Sequence, residues 1–404
     1  MPDTSVVEAV RVVGPLAPYA PRFADELRRR GYTECSTAGQ LRLMAHASRW
    51  LANQGLDAAG FTPQRLAAFS ADRVATGYRG LRTVRALRPL EELLQAAGAL
   101  PVPTAPEPES SAEHLLARYR GFLEGERGVV EKVSARWLRV AARFLAEHPG
   151  LADGTAAIGA AEVSAFCVKE LPSRSASAAQ NLAASLRTFL RFCHVEGLVD
   201  APLAQAVPPV ARRVHTSVPC GISADARGRL LASCDRENPR GRRDHAILLL
   251  LTRFGLRAGE VARLRLDDVD WHLGEIVVHG KGNRVEKMPL PVDVGEAVAD
   301  YLSEGRPRAE SRAVFLRAIA PWTALSAGGV TWIVYDACRR AGVERVGAHR
   351  LRHSVASDML AAGASFGEIG QLLRHAAVSS TGIYAKVDFT ALRSLALPWP
   401  GGAA

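Results

Sequence analysis

From Arg22 to about Leu100, apolar residues recur three and four apart through FADELRRRG, STAGQLRLMAHASRWLANQG, TPQRLAAFSADRV and VRALRPLEELLQAAG. That period predicts a row of amphipathic helices. Thr62-Pro63 supplies a cap followed by a proline at the first helical position, and Gly98 a stop. Residues 1–20, rich in Pro and Val without a period, read as an irregular arm ahead of a helical domain over 21–100. PVPTAPEPESS, at 101–111, reads as an extended, semi-rigid linker.

Helical spacing resumes over 112–207 and repeats the earlier order. Phe144-Leu145-Ala146 answers Trp50-Leu51-Ala52, Phe166 answers Phe69, and LRTFLRFCHVEGLV answers LRPLEELLQAAGAL. The shared ending suggests duplication of a small four-helix domain. A basic, proline-containing linker at 208–222 follows, and the pattern then changes. Helices are expected at about 223–234, 243–254, 258–264, 292–304, 327–341, 349–362 and 365–373. GEIVVHG and VEKMPLP flank KGNR as two strands about a Gly-Asn turn. The fold class is mainly α with a small antiparallel β-sheet: two all-α domains, a third domain over 223–388, and a tail over 389–404.

With 404 residues the chain fits two or three domains, and 48% hydrophobic residues supply a sizeable core. The net charge of +10 and pI near 9.7 favour a polyanionic partner. The bases are nearly all arginine, so the five lysines, Lys132, Lys169, Lys281, Lys287 and Lys386, stand out. Six cysteines without a C-x-x-C pair read as reduced thiols. MPDTSVVEAV lacks a secretory pattern and no apolar run spans a bilayer, so the expected location is cytoplasmic.

The candidate chemistry concentrates between His349 and Tyr384. His349 and Arg352, three apart at a helix start, share a face. An arginine fork matches two phosphate oxygens, and a histidine adds a further hydrogen bond. FGLRAGEVARL places Arg257 after a glycine-marked turn, with Glu260 three residues on to steady a basic side chain. Lys281 sits at the hairpin tip between two glycines, with Lys287 as its alternative; His375 and Tyr384 complete the set. The acidic cluster Asp267, Asp268 and Asp270 reads as a solvated turn rather than a metal site. Arg28, Arg29 and Arg30, like Arg212 and Arg213, read as solvated charge runs that become phosphate contacts only in a DNA-clamping protein.

The order GLRAGE, GKGNR, H-x-L-R-H-S, LLRH and IYAKV resembles the tyrosine recombinase, or phage-integrase, family. The resemblance covers the region from Ser223 onward and, more loosely, the helical unit before it, which is similar to that family's core-DNA-binding domain. It implies a tyrosine-recombinase-like catalytic domain preceded by two all-α, SAM-like helical domains, the first arm-like or duplicated, as in recombinases of mobile elements. It also implies that Tyr384 attacks the scissile phosphodiester to give a 3′-phosphotyrosyl link, with Arg257 and Arg352 on the non-bridging oxygens. His349 and His375 would exchange protons, Lys281 would protonate the departing 5′-oxygen, and Glu260 would support. Neither metal nor ATP is needed, no cofactor is implied, and the partners are double-stranded DNA and a homo-tetramer assembled on it, associated with the nucleoid. The tail, with Leu392, Leu395, Leu397 and Trp399, would dock in trans on a neighbour or pack on its own domain. One departure is visible: Arg374 stands where the family usually has glycine, and would crowd the helix start or add a phosphate contact. Two other classes stay open, a type IB topoisomerase-like relaxation activity and a catalytically silent DNA-binding accessory protein.

Overall fold

The structure, a computed structural model, describes residues 5–100, 108–210, 221–280 and 284–374. The chain divides into two compact units, Met1–Val102 with Ser217–Ala404, and Pro103–Thr216.

The first helical array comprises α1 (Ala20–Arg29), α2 (Glu34–Asn53), α3 (Pro63–Ala75) and α4 (Val84–Ala96). Thr33 caps α2 by accepting a hydrogen bond from the Ser36 N–H at 3.3 Å. Phe23, Leu27, Met44, Leu51, Phe69 and Leu94 form its core. The first twenty residues are not wholly irregular: Ser5–Glu8 makes a helical turn, and Val7 and Leu16 are buried in that core. The valines of this arm keep no clear period, so only the completed core reveals which residues are buried.

The second array comprises α5 (Ser111–Gly121), α6 (Glu131–Glu147), α7 (Ala160–Glu170) and α8 (Ala176–Val195). Its start is fixed locally. Ser110 accepts from the Glu113 N–H at 3.2 Å, and the Glu113 carboxylate accepts from the Ser110 N–H at 3.3 Å. Tyr119, Phe144, Phe166, Phe189 and Phe192 build a separate aromatic core.

The remaining described part of the first unit carries α9 (Ala224–Ala232), α10 (Pro239–Arg253), α11 (Ala258–Arg263), α12 (Val292–Asp300), α13 (Ala327–Ala341), α14 (Ala348–Ala361) and α15 (Phe366–Leu373). Strands β1 (Val269–Asp270), β2 (Glu275–His279) and β3 (Val285–Pro289) pair antiparallel in sequence order. The β2–β3 hairpin is in the expected place, with Val277 opposite Lys287, whereas β1 is an additional short edge strand. Helix α10 is the hub: Ile247, Leu248, Leu249, Leu250 and Leu251 are all buried, so it is covered all round.

Two boundaries differ from expectation. Helix α10 begins at Pro239 because Asn238 accepts from the Gly241 N–H at 2.8 Å; its first turn, rich in arginine, has no apolar period. Helix α12 widens into a π-turn over Tyr301–Gly305, where the buried Tyr301 hydroxyl accepts from the Leu316 N–H at 3.2 Å. Among the described residues no helix is long and apolar enough to cross a membrane.

Candidate active site

The site is built from the α10–α11 turn, the first turns of α14 and the end of α15. Gly255 has φ +57°, and a Cβ there would lie 2.7 Å from Leu373 Cδ2 and 3.5 Å from Arg352 Cγ. Both backbone and space therefore demand glycine. Two residues on, Arg257 occupies the extended cap position of α11. Glu260 reaches back from the first turn: Oε2 accepts from the Arg257 N–H at 2.9 Å and Oε1 from Arg257 Nη1 at 2.6 Å. The Glu260 side chain is 1% exposed and that of Arg257 40%, so the carboxylate is sunk while the guanidinium it holds reaches solvent. Burial acts to raise the Glu260 pKa, but the Arg257 N–H and the Arg374 and Arg257 guanidinium groups outweigh it and hold the pKa below the usual range.

Arg352 is almost wholly buried. Its Nη1 donates to the Gly255 carbonyl at 2.7 Å and its Nη2 to the Leu373 carbonyl, tying the Arg257 turn to the end of α15. His349 lies one turn earlier on the same helix. It keeps a solvent-facing edge, yet partial burial, then the Arg352 and Arg257 cations, push its pKa below 6.5, so the neutral imidazole prevails at neutral pH. His353 packs edge-on against His349 with ring centroids 4.4 Å apart. Burial, with His349, Arg352 and Arg350 nearby, takes its pKa down to about 4.

Thus Arg257, Glu260, His349 and Arg352 converge, although Arg257 and His349 are far apart in sequence. Lys281, His375 and Tyr384, and the tail beyond, lie outside the described residues. Lys287, the alternative lysine, is exposed and pairs with Glu275 at 3.7 Å.

Arg374 departs from both outcomes expected of it. It caps α15 in the left-handed region at φ +52°, and its side chain, 3% exposed, turns inward. Nη2 meets Glu260 Oε2 at 3.0 Å, while Nη1 donates to the Leu372 carbonyl at 2.8 Å and touches Met288 Sδ. No local pattern announces this pair, because its partners are 114 residues apart. In the acidic cluster Asp267 and Asp270 are exposed, as expected of a solvated turn, and Asp268 alone departs from it. Asp268 is buried, accepting from the Arg265 N–H at 2.8 Å and facing His279 Nε2 at 2.8 Å, while Asp267 pairs with Arg312. Among the described residues no group of His, Cys, Asp and Glu is arranged to hold a metal ion.

Residues 222–391 match the phage integrase family. The chain is 40% identical over 398 residues to "Putative integrase/recombinase y4rA" of Sinorhizobium fredii, covering 96% of each protein. It is 32% identical over 307 residues to the tyrosine recombinase XerD of Mycobacterium tuberculosis, covering 71% of this chain and 96% of that one. The fold is similar to that of the XerH site-specific recombinase bound to a palindromic difH substrate, with TM-score 0.55, 17% identity, and coverage of 82% of this chain and 93% of that one. It is also similar to a lambda integrase (75–356) dimer bound to a COC′ core site, with TM-score 0.51, 18% identity, and coverage of 67% and 94%. The chain belongs to the phage integrase family, the tyrosine-type site-specific recombinases, which are DNA strand transferases.

Proposed function

We propose that the chain breaks and rejoins double-stranded DNA through a covalent bond to Tyr384, using neither metal nor ATP. The phenol oxygen attacks phosphorus and the P–O bond to the 5′-oxygen breaks. The phenolic proton passes to an imidazole, His349 or His375, and Lys281 protonates the departing 5′-oxygen to the hydroxyl. Arg257 and Arg352 bear on the non-bridging oxygens, whose charge grows as phosphorus becomes five-coordinate. Because the phosphotyrosyl link keeps the energy of the broken bond, the free 5′-hydroxyl of another strand reverses the step without a nucleotide cofactor.

The observation that carries this reading is the Arg257 fork. A buried carboxylate holds one of its nitrogens at 2.6 Å while the side chain remains 40% exposed, a cation aimed and still open to a ligand. The lowered pKa of His349 supports an acceptor role at neutral pH. We assign the partners as DNA and further copies of this chain, in a tetramer on paired sites. A lambda integrase tetramer bound to a Holliday junction, similar at TM-score 0.50 and 19% identity, supports that assembly. The site of action would be the cytoplasmic nucleoid.

The test uses supercoiled plasmid carrying the DNA on either side of the chain's own gene, with protein–DNA adducts trapped by detergent. Adducts formed in EDTA without nucleotide, and lost in Tyr384→Phe, are expected. Adducts that persist in Tyr384→Phe, or cleavage abolished by EDTA, would overturn the reading. Products that are relaxed but never exchanged would move it to topoisomerase chemistry.

A further inference from the structure

We infer that Arg374 is a positioning residue for Arg257, acting through Glu260. The inference deepens the proposal above and rests on Arg257 engaging the scissile phosphate. A carboxylate beside an exposed arginine has two geometries available. It can chelate the guanidinium with both oxygens, the strongest pairing for the isolated partners, or it can use one oxygen and leave the rest of the fork for a ligand. Here the second is realised, and the reason is visible. Glu260 Oε2 is occupied by the Arg257 N–H at 2.9 Å and by Arg374 Nη2 at 3.0 Å, so only Oε1 remains for Arg257 Nη1.

Arg374 is itself held rigidly, with Nη1 on the Leu372 carbonyl at 2.8 Å and its side chain 3% exposed. Its Nε is buried without a hydrogen-bond partner, and its backbone sits at φ +52°, where most side chains are disfavoured. A glycine would avoid both costs. An arginine kept there despite them is explained if its charge has a task, and the group it touches is the one that aims Arg257. The contact also joins α11 to the end of α15.

The experiment compares the full-length chain with Arg374→Met, which keeps bulk without charge, Arg374→Gly, which suits the left-handed backbone, and Arg374→Lys, which keeps charge. Amide hydrogen exchange in the free protein reads the geometry directly. Without Arg374 the carboxylate rotates onto the guanidinium and releases the Arg257 N–H, so exchange at that amide accelerates in the Met and Gly variants and is restored in part by Lys. Single-turnover adduct formation on duplexes from the gene's flanking DNA reads the consequence. The expected loss is about 10- to 100-fold in rate with DNA affinity little changed, the signature of misplacement rather than lost binding. Adding Glu260→Gln to Arg374→Met then costs less than the sum of the two changes. Should Met fail to fold, Gly decides. Wild-type exchange at Arg257 in the Met and Gly variants overturns the inference even where no duplex is cut. A wild-type adduct rate in those variants overturns it as well. A wild-type chain that forms no adduct, but shows the exchange effect, sinks the proposed reaction and leaves the structural coupling standing.

Discussion

The two helical arrays share a plan and differ in what their surfaces leave free. Trp50 meets Phe69 edge-on at 5.7 Å in the first array, and Phe144 meets Phe166 edge-on at 5.1 Å in the second. Each array's last long helix runs into a left-handed glycine, Gly98 at φ +69° and Gly197 at φ +71°. Helix order, aromatic pair and stop thus correspond between the two arrays. The charges diverge. In the first array Arg28 pairs with Asp25 and Glu34, Arg29 with Glu26, and Arg30 with Glu26 and Glu92. In the second, Arg136, Arg139 and Arg143 on one face of α6, with Arg174, line an open cavity of about 630 Å³. Glu170 neutralises Arg143 and Arg174, whereas Arg136 and Arg139 have no ion-pair partner among the described residues. At these positions the carboxylates around each arginine, and not the common helical frame, decide which guanidinium is left free.

The largest expected effect tests the shared plan. Phe69→Ala and Phe166→Ala should each destabilise their own array by about 3–5 kcal/mol, since both rings are nearly fully buried. Native-state hydrogen exchange should show the loss confined to the substituted array, and a loss spread equally over both would remove the idea of two self-contained repeats. Next comes the charge difference. Replacing Arg136 and Arg139 together by alanine should weaken DNA binding by about 10-fold or more and lower the salt slope by about 2. Replacing Arg28 and Arg29 should change either little, and equal effects from the two pairs would erase the contrast.

A smaller effect concerns how the first array meets the other part of its unit. The Trp322 N–H donates to the Arg30 carbonyl at 2.9 Å, and the indole covers Gly31, where a Cβ would fall 2.2 Å from the ring. Gly31→Val should loosen this contact at a cost of roughly 1–3 kcal/mol, seen as a shift in tryptophan fluorescence and faster proteolysis near residue 31. Unchanged proteolysis would mean the contact contributes nothing.

The smallest is a pH effect particular to the first array. Burial, then Arg49 and Arg73, lower the pKa of His46, whose Nδ1 faces Arg73 Nη1 at 3.0 Å. Arg73 is itself buried against the Tyr78 ring, and among the described residues no carboxylate pairs with it. Above the unfolded value His46 is mostly neutral, and more completely so in the folded array. As pH falls through the unfolded value of about 6.5 the unfolded chain takes up the proton first, so stability declines toward the lower folded value. Stability of the first array should therefore fall on acidification below about pH 6.5, by less in His46→Asn; an identical pH profile for that variant would refute the assignment.

Much of the frame was legible because it is written locally. Periods of three and four residues marked nearly every helix, GEIVVHG and VEKMPLP marked the hairpin, and Pro63 marked a helix start, although the Thr62 side chain makes no capping hydrogen bond there. GLRAGE and HRLRHS were equally legible as chemistry, because Arg257 with Glu260, and His349 with Arg352, each lie within one helical turn. The Pro239 start of α10 escaped because its first turn is arginine rather than apolar, and the burial of Val7 and Leu16 because the arm around them keeps no clear period.

The sequence by itself determined the helical composition, the hairpin, the family and the identities of the chemical groups, since each depends on neighbours a few residues away. Only the tertiary structure decided where Arg374 points, that Asp268 is buried against His279, and that Arg352 braces Gly255. A charged side chain is kept inside only by a partner that meets it there. For Arg374 that partner is Glu260, 114 residues earlier in the chain.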